Sequence, residues 1–129
     1  MKIDHLAIWV DDLETMSAFY LKYFDTTSGE KYVNEQKQYT SYFIYFGKDQ
    51  TRLELMHKPF ITTIAGQRGF AKGQAHFSIS VGDKEKVNEL TEWLRAERYI
   101  IFSEPRTTGD GYYESVVLDP EGNYLEITA

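Results

Sequence analysis

The chain has no cysteine. That excludes disulfides, thiolate metal sites and cysteine nucleophiles, and it fits a cytoplasmic protein. Histidine is scarce as well: His5, His57 and His76 are the only imidazoles. Any metal must be held by these, by Asp or Glu, or by backbone oxygen. No apolar run approaches the ~20 residues of a membrane span. The segment from Met1 to Val10 is too short, and too interrupted by Asp4 and His5, to read as a signal peptide. There is no basic tail or stripe, and 20 acidic residues against 14 basic ones leave a net charge of −6. That balance argues against nucleic acid as a partner.

What is present describes a globular protein. The 129 residues are 42% hydrophobic and 26% charged, the balance of a folded chain and not a disordered one. A single domain of this length buries about two thirds of its unfolded surface, enough for a real core. The 10 Tyr, 8 Phe and 2 Trp call for a large packed surface or an aromatic-lined pocket for a small molecule.

The chain also repeats itself. His5-Leu6-Ala7-Ile8-Trp9-Val10 and His76-Phe77-Ser78-Ile79-Ser80-Val81 are alternating stretches that both open with His. Each leads into an Asp and then an apolar stripe at 3–4 spacing, Met16 to Phe24 and Val87 to Arg95, the pattern of an N-capped helix. Each half ends in a strand, a turn and a strand. The first is Tyr42 to Phe46 then Thr51 to Met56, and the second is Glu114 to Leu118 then Tyr124 to Thr128. His5 and His76 lie 71 residues apart, and Glu54 and Glu126 lie 72 apart.

The expected fold class is therefore α+β, two tandem βαβββ modules. Module 1 covers residues 1–57, a connector 58–73, and module 2 residues 74–129. A short helix is expected over residues 60–70, and a second loop over 103–111.

Strand alternation assigns faces. Leu6, Ile8, Leu53 and Leu55 belong to the helix side, so His5, Trp9, Arg52, Glu54 and Met56 share the opposite, concave face. Likewise Phe77, Ile79 and Val81 leave His76 on the concave face of the second sheet, and Leu125 and Ile127 leave Tyr124, Glu126 and Thr128 there. His57 faces away and reads as a surface residue. A lone His on a strand is usually just hydrogen-bonded, and an inward Glu usually pairs with Arg, for which Arg52 is a candidate beside Glu54. Core packing gives no reason for polar residues at both pairs of equivalent sites. Two imidazoles and two carboxylates suit one divalent ion, whether Zn, Ni, Co, Mn or Fe(II).

These motifs resemble the vicinal-oxygen-chelate superfamily, which includes glyoxalase I, bleomycin and fosfomycin resistance proteins, extradiol dioxygenases and methylmalonyl-CoA epimerase. The carrying features are Asp4-His5-Leu6-Ala7-Ile8, Leu53-Glu54-Leu55, Ala75-His76-Phe77-Ser78-Ile79, the turn Asp119-Pro120-Glu121-Gly122-Asn123, and Leu125-Glu126-Ile127. The resemblance implies curved mixed sheets around an open, barrel-like metal cleft. By position, His5, Glu54, His76 and Glu126 become the four ligands, a set similar to that of bacterial glyoxalase I (lactoylglutathione lyase). It also implies a homodimer.

The implied activity is a lyase or isomerase acting on a small vicinal-oxygen substrate through a metal-stabilised enediolate, with Glu126 as base and Glu54 as second choice. Trp9, Arg52, Met56 and Tyr124 are expected to line the pocket, with Tyr113 capping it. Trp9 and Lys58 stand where glyoxalase I carries an Arg and an Asn that hold glutathione, which argues against that thiol. The competing reading is a non-catalytic drug- or metabolite-binding protein. An Fe(II) dioxygenase is disfavoured by Glu54, where that group has His.

Overall fold

A computed structural model describes residues 1–48, 50–62 and 68–129. The chain divides into two compact units, residues 1–64 and 65–129. The first contains β1 (His5–Trp9), α1 (Leu13–Tyr23), β2 (Thr27–Ser28), β3 (Tyr32–Asn34), β4 (Tyr39–Tyr45) and β5 (Arg52–His57). The second contains β6 (Phe77–Ser80), α2 (Lys84–Ala96), β7 (Ile101–Thr107), β8 (Tyr113–Leu118) and β9 (Tyr124–Thr128).

The two units share one topology. The first sheet runs β1-β5-β4-β2, with β3 added alongside β4, and the second runs β6-β9-β8-β7. In each, the opening strand lies parallel to the closing one and the remaining pairs are antiparallel. Neither sheet closes on itself. The architecture is α+β in two modules, as the repeat implies.

Helix packing follows from the apolar stripes. On α1, Leu13, Met16, Phe19, Tyr20 and Tyr23 are buried at helical spacing, and the helix lies on β4 and β5, where Ile44, Leu53 and Leu55 are buried. On α2, Val87, Leu90 and Leu94 are buried, and the helix lies on β8 and β9, where Val117, Leu125 and Ile127 have no exposure. Buried Thr91 is satisfied twice: its hydroxyl meets the Val87 carbonyl at 2.6 Å and the Ser115 hydroxyl at 2.7 Å. No helix among the described residues is long and apolar enough to cross a membrane.

Both helices start at an Asp. Asp12 Oδ1 accepts from the Thr15 N–H at 3.0 Å, and Asp83 Oδ1 accepts from the Lys86 N–H at 2.9 Å. These backbone bonds hold both carboxyls below the ordinary 3.8. A carboxyl depressed by folding lends stability above its unfolded pKa and loses it as pH falls through the lower, folded one. The melting temperature is therefore expected to fall as the pH drops below about 4. A double Asp12→Asn, Asp83→Asn variant keeps a capping oxygen but cannot titrate there, so its fall between pH 5 and pH 3 should be shallower. Parallel thermal melts of the two proteins check this, and identical slopes would remove the caps from the acid response.

Three details differ from the sequence expectation. The loop assigned to 103–111 begins only after Thr107, because β7 continues through Pro105. As the edge strand it tolerates a proline without an N–H, and its pairing with β8 slips in register between Ile101 and Ser103 and again between Ser103 and Arg106. His76 stands just before β6 rather than inside it. The middle of the helix expected over 60–70 lies outside the described residues; its flanks, 58–62 and 68–70, carry turns and bends.

Candidate functional site

In the first unit, strand register gathers the candidate residues. His5 stands opposite Arg52, Ala7 opposite Glu54, and Trp9 opposite Met56. Across the other side of β5, Phe43 stands opposite Glu54 and Ser41 opposite Met56. Directly paired residues share a face, so His5, Trp9, Glu54 and Met56 all lie opposite the α1 side. His5 Nε2 is 3.8 Å from Glu54 Oε2. The other ring nitrogen, Nδ1, lies 3.0 Å from Asp4 Oδ2. A carboxylate only accepts, so Nδ1 carries a proton toward Asp4, and Nε2 is the ring nitrogen turned toward Glu54.

Arg52 does not pair with Glu54, as the sequence had allowed. Its guanidinium bonds Asp4 and lies 4.6 Å from the centre of the Phe43 ring. Hydrogen bonds from His5 first and Arg52 second hold the Asp4 carboxyl below its usual value. Glu54 instead accepts a 2.7 Å hydrogen bond from the Tyr39 hydroxyl on Oε1. Burial, and to a lesser degree the link to Glu54, holds the Tyr39 phenol above its ordinary value, so it remains a donor. The Tyr39 ring is bounded by the Trp9 edge at 6.3 Å, by Tyr32 at 6.0 Å and by the Lys58 ammonium at 5.9 Å. His57 lies on the other face, where its ring Nδ1 is 2.9 Å from the Val10 carbonyl.

In the second unit, Ser78 and Val116 stand opposite Glu126 from its two sides. His76 Nε2 is 3.2 Å from Glu126 Oε1. Among the described residues, no hydroxyl or backbone N–H binds this carboxylate. Burial is the main cause that raises the Glu126 carboxyl above its usual value; His76 opposes the shift and Glu114 adds to it. Glu114 has its own cation, Arg106 Nη2 at 3.5 Å.

Both glutamates are sheltered, with side chains 13% and 18% exposed, whereas the histidines beside them are 41% and 48% exposed. No lysine or arginine among the described residues makes an ion pair with either one. A sheltered carboxylate is stabilised by a cation, by hydrogen bonds or by taking up a proton. Each pair offers a nitrogen and a carboxylate oxygen, donors that fit a divalent transition metal. Among the described residues no group of three or more His, Asp or Glu stands together as a metal cluster.

Tyr124 sits on the same side of β9 as Glu126, within an aromatic group. Its ring centre is 4.7 Å from Phe102 and 5.5 Å from Phe70. The loop before β6 packs closely here. Gly69 has φ +81°, and a Cβ on it would meet Tyr124 at 2.7 Å and the Ala75 carbonyl at 2.9 Å, so only glycine suits the position. A cavity of about 150 Å³ opens beside His76, lined also by Arg68, Lys72, Asn123 and Tyr124. Arg68 Nη1 is anchored on Asn123 Oδ1 at 2.8 Å. Asn123 is held in turn by Asp119, whose Oδ1 accepts the Glu121 and Asn123 N–H groups at 3.0 and 2.9 Å.

Tyr113 needs correction as a pocket residue. It alternates with Glu114 on β8 and therefore lies on the α2 side. There its hydroxyl donates to Asn88 Oδ1 at 2.8 Å, and the Lys84 ammonium stands 5.0 Å from its ring centre. Two residues with roles beside the candidate ligands, Asp4 and Tyr39, escape a reading of the sequence. Asp4 had a signal in its adjacency to His5. Tyr39 had none, because it reaches Glu54 only through the pairing of β4 with β5.

The comparisons agree with this architecture. The family model of the Glyoxalase/Bleomycin resistance protein/Dioxygenase superfamily matches residues 2–127. No curated protein matches the chain by sequence. Among solved structures, glyoxalase I from Zea mays superposes with a TM-score of 0.79 at 24% identity, over 98% of this chain and 44% of that one. The chain thus spans less than half of the maize enzyme. The trypanothione-dependent glyoxalase I of Leishmania major superposes with a TM-score of 0.75 at 25% identity, over 99% of this chain and 86% of that one. A glyoxalase family protein from Enterococcus faecalis gives 0.77 at 18% identity, over 99% and 97%. With the duplicated module, the shared strand order and a family match over nearly its whole length, the chain belongs to the glyoxalase, bleomycin resistance protein and dioxygenase superfamily.

Proposed function

We propose that this protein is a metal-dependent lyase or isomerase of glyoxalase type, with His5, Glu54, His76 and Glu126 as ligands of one divalent ion. The observation that carries the proposal is the pair of sheltered glutamates, neither in an ion pair with a lysine or arginine among the described residues, each facing an imidazole Nε2 at an equivalent place in its module. Ordinary packing does not call for that arrangement twice. A bound ion would supply Lewis-acid polarisation of two adjacent substrate oxygens.

The side chains divide the remaining work. Glu54, tied down by Tyr39, is the fixed carboxylate. Glu126, free of any hydroxyl or backbone donor, takes a proton from the carbon beside a polarised carbonyl and returns it to the neighbouring carbon. Its burial raises its affinity for a proton and so favours the abstraction. Tyr124 and Phe102 offer an apolar wall, and the cavity with Arg68 and Lys72 accommodates an acidic substrate arm. Trp9 and Lys58 flank Tyr39 and stand where the resemblance implies an arginine and an asparagine that hold glutathione, which argues against that thiol. A homodimer in the cytoplasm completes the proposal.

Metal analysis of the purified, untagged protein tests it. One divalent ion per chain is expected, lost in a His5→Ala, Glu126→Ala double variant, with turnover of hemithioacetals restored by one of Ni, Co, Zn, Mn or Fe(II). Mixing His5→Ala with His76→Ala chains reveals whether the ligands come from one chain or from two copies, since only ligands drawn from two copies regain intact sites. A protein that retains no ion, and is not stabilised by any of the five, would overturn the proposal. Exposed Phe70 and Phe102, packed on half-buried Tyr124, would then favour a non-catalytic binder of an aromatic drug or metabolite.

A further inference from the structure

The two glutamates are built differently. In the first unit Glu54 has both oxygens assigned: Oε1 accepts from the Tyr39 hydroxyl at 2.7 Å, and Oε2 faces His5 Nε2 at 3.8 Å. The donor itself is well held. The Tyr39 ring lies against the Trp9 edge, Tyr32 and the Lys58 ammonium, and its hydroxyl also meets that of buried Ser41. Ser41 is 2% exposed, so water has little access from that side.

The second unit has a tyrosine at the corresponding place. Phe43 and Val116 stand opposite the two glutamates, and four residues before each is a tyrosine, Tyr39 and Tyr112. Tyr112 does not do what Tyr39 does. It lies just before β8 begins, after Gly111 at φ +94°, and is 60% exposed. Its hydroxyl reaches no partner among the described residues, and Glu126 is left with His76 alone.

We propose that Tyr39 is the positioning residue for Glu54: its hydroxyl occupies one carboxylate oxygen and fixes the other as the single oxygen presented beside His5 Nε2. The ligand set is therefore unequal by construction, a rigid pair in the first unit and a loose one in the second. This rests on the metal reading above and adds to it. Outer hydrogen bonds of this kind hold a ligand in its binding geometry, and their loss typically weakens metal affinity about 10–100-fold.

The test uses the full chain loaded with Co(II), whose visible absorption reports ligand number and geometry, together with chelator competition. Tyr39→Phe removes one hydroxyl and keeps the ring in its packing. Affinity should drop about 10–100-fold, and the cobalt bands should change as Glu54 gains freedom to bind through both oxygens. Tyr112→Phe should leave affinity and spectrum as they are. Melts of the two metal-free variants, each within a few degrees of the parent, separate this effect from a folding defect. Unchanged affinity and spectrum in Tyr39→Phe would overturn the inference, and so would an equal loss in Tyr112→Phe. Should the unmodified protein bind no cobalt at all, the metal reading falls first and this inference with it, a result visible before any variant is made.

Discussion

Replacing Glu126 by Gln is expected to lower turnover about 10²–10⁴-fold, the usual share of a positioned base. The change is nearly isosteric and keeps a carbonyl oxygen facing His76, so the ion should stay bound. What is lost is the oxygen able to accept a proton at neutral pH. Structural context favours Glu126 over Glu54 for this role, since Glu54 already takes a 2.7 Å hydrogen bond from Tyr39 and the Glu126 carboxylate receives none from a hydroxyl or backbone N–H among the described residues. Hydrogen–deuterium exchange into product, measured with metal content in the same samples, reads the chemistry apart from binding. Full exchange in the Gln variant would move the base elsewhere. A collapse in Glu54→Gln alone, with the ion retained, would assign the base to Glu54.

The second large effect is structural. Leu125→Ala should destabilise the protein by about 2–5 kcal/mol, the range for emptying a buried leucine site. Leu125 has no exposure, and β9 lies against α2, so the lost volume opens onto Val117, Ile127 and the helix. Against a typical total stability of about 5–15 kcal/mol, this is a large fraction. Ile127→Val, one methylene smaller at an equally buried position, should lose only about 0.5–1.5 kcal/mol. Denaturant unfolding of the two variants checks the ratio. Equal and small losses would mean that this face of β9 is not the core. The consequence reaches the candidate site, because Leu125 and Ile127 point to the helix side and thereby hold Glu126 on the other. The strand pleat makes the core residues the frame that aims the glutamate.

The same pleat explains why much of the site was legible from residues alone. Once Leu53 and Leu55 are committed to the core, Glu54 has one direction left, and the same holds for Glu126 between Leu125 and Ile127. Tyr113 shows where such reasoning stops. Its place just after the expected 103–111 loop agreed with a cap over the pocket, but parity on β8 places it toward α2 and Asn88. Pro105 misled in a similar way: read as a loop residue, it lies in an edge strand that needs no N–H there.

Local pattern by itself determined the duplication, the helix caps at Asp12 and Asp83, and the faces of the strands that carry Glu54 and Glu126. Those depend on spacing along the chain and on the periods of strand and helix, which are local quantities. Only the tertiary structure decided the partners. Arg52 bonds Asp4 and not Glu54, and Tyr39 holds Glu54 while Tyr112 reaches nothing comparable among the described residues. These long-range bonds are set by the register of strands far apart in sequence and by where each strand begins, which no local periodicity encodes.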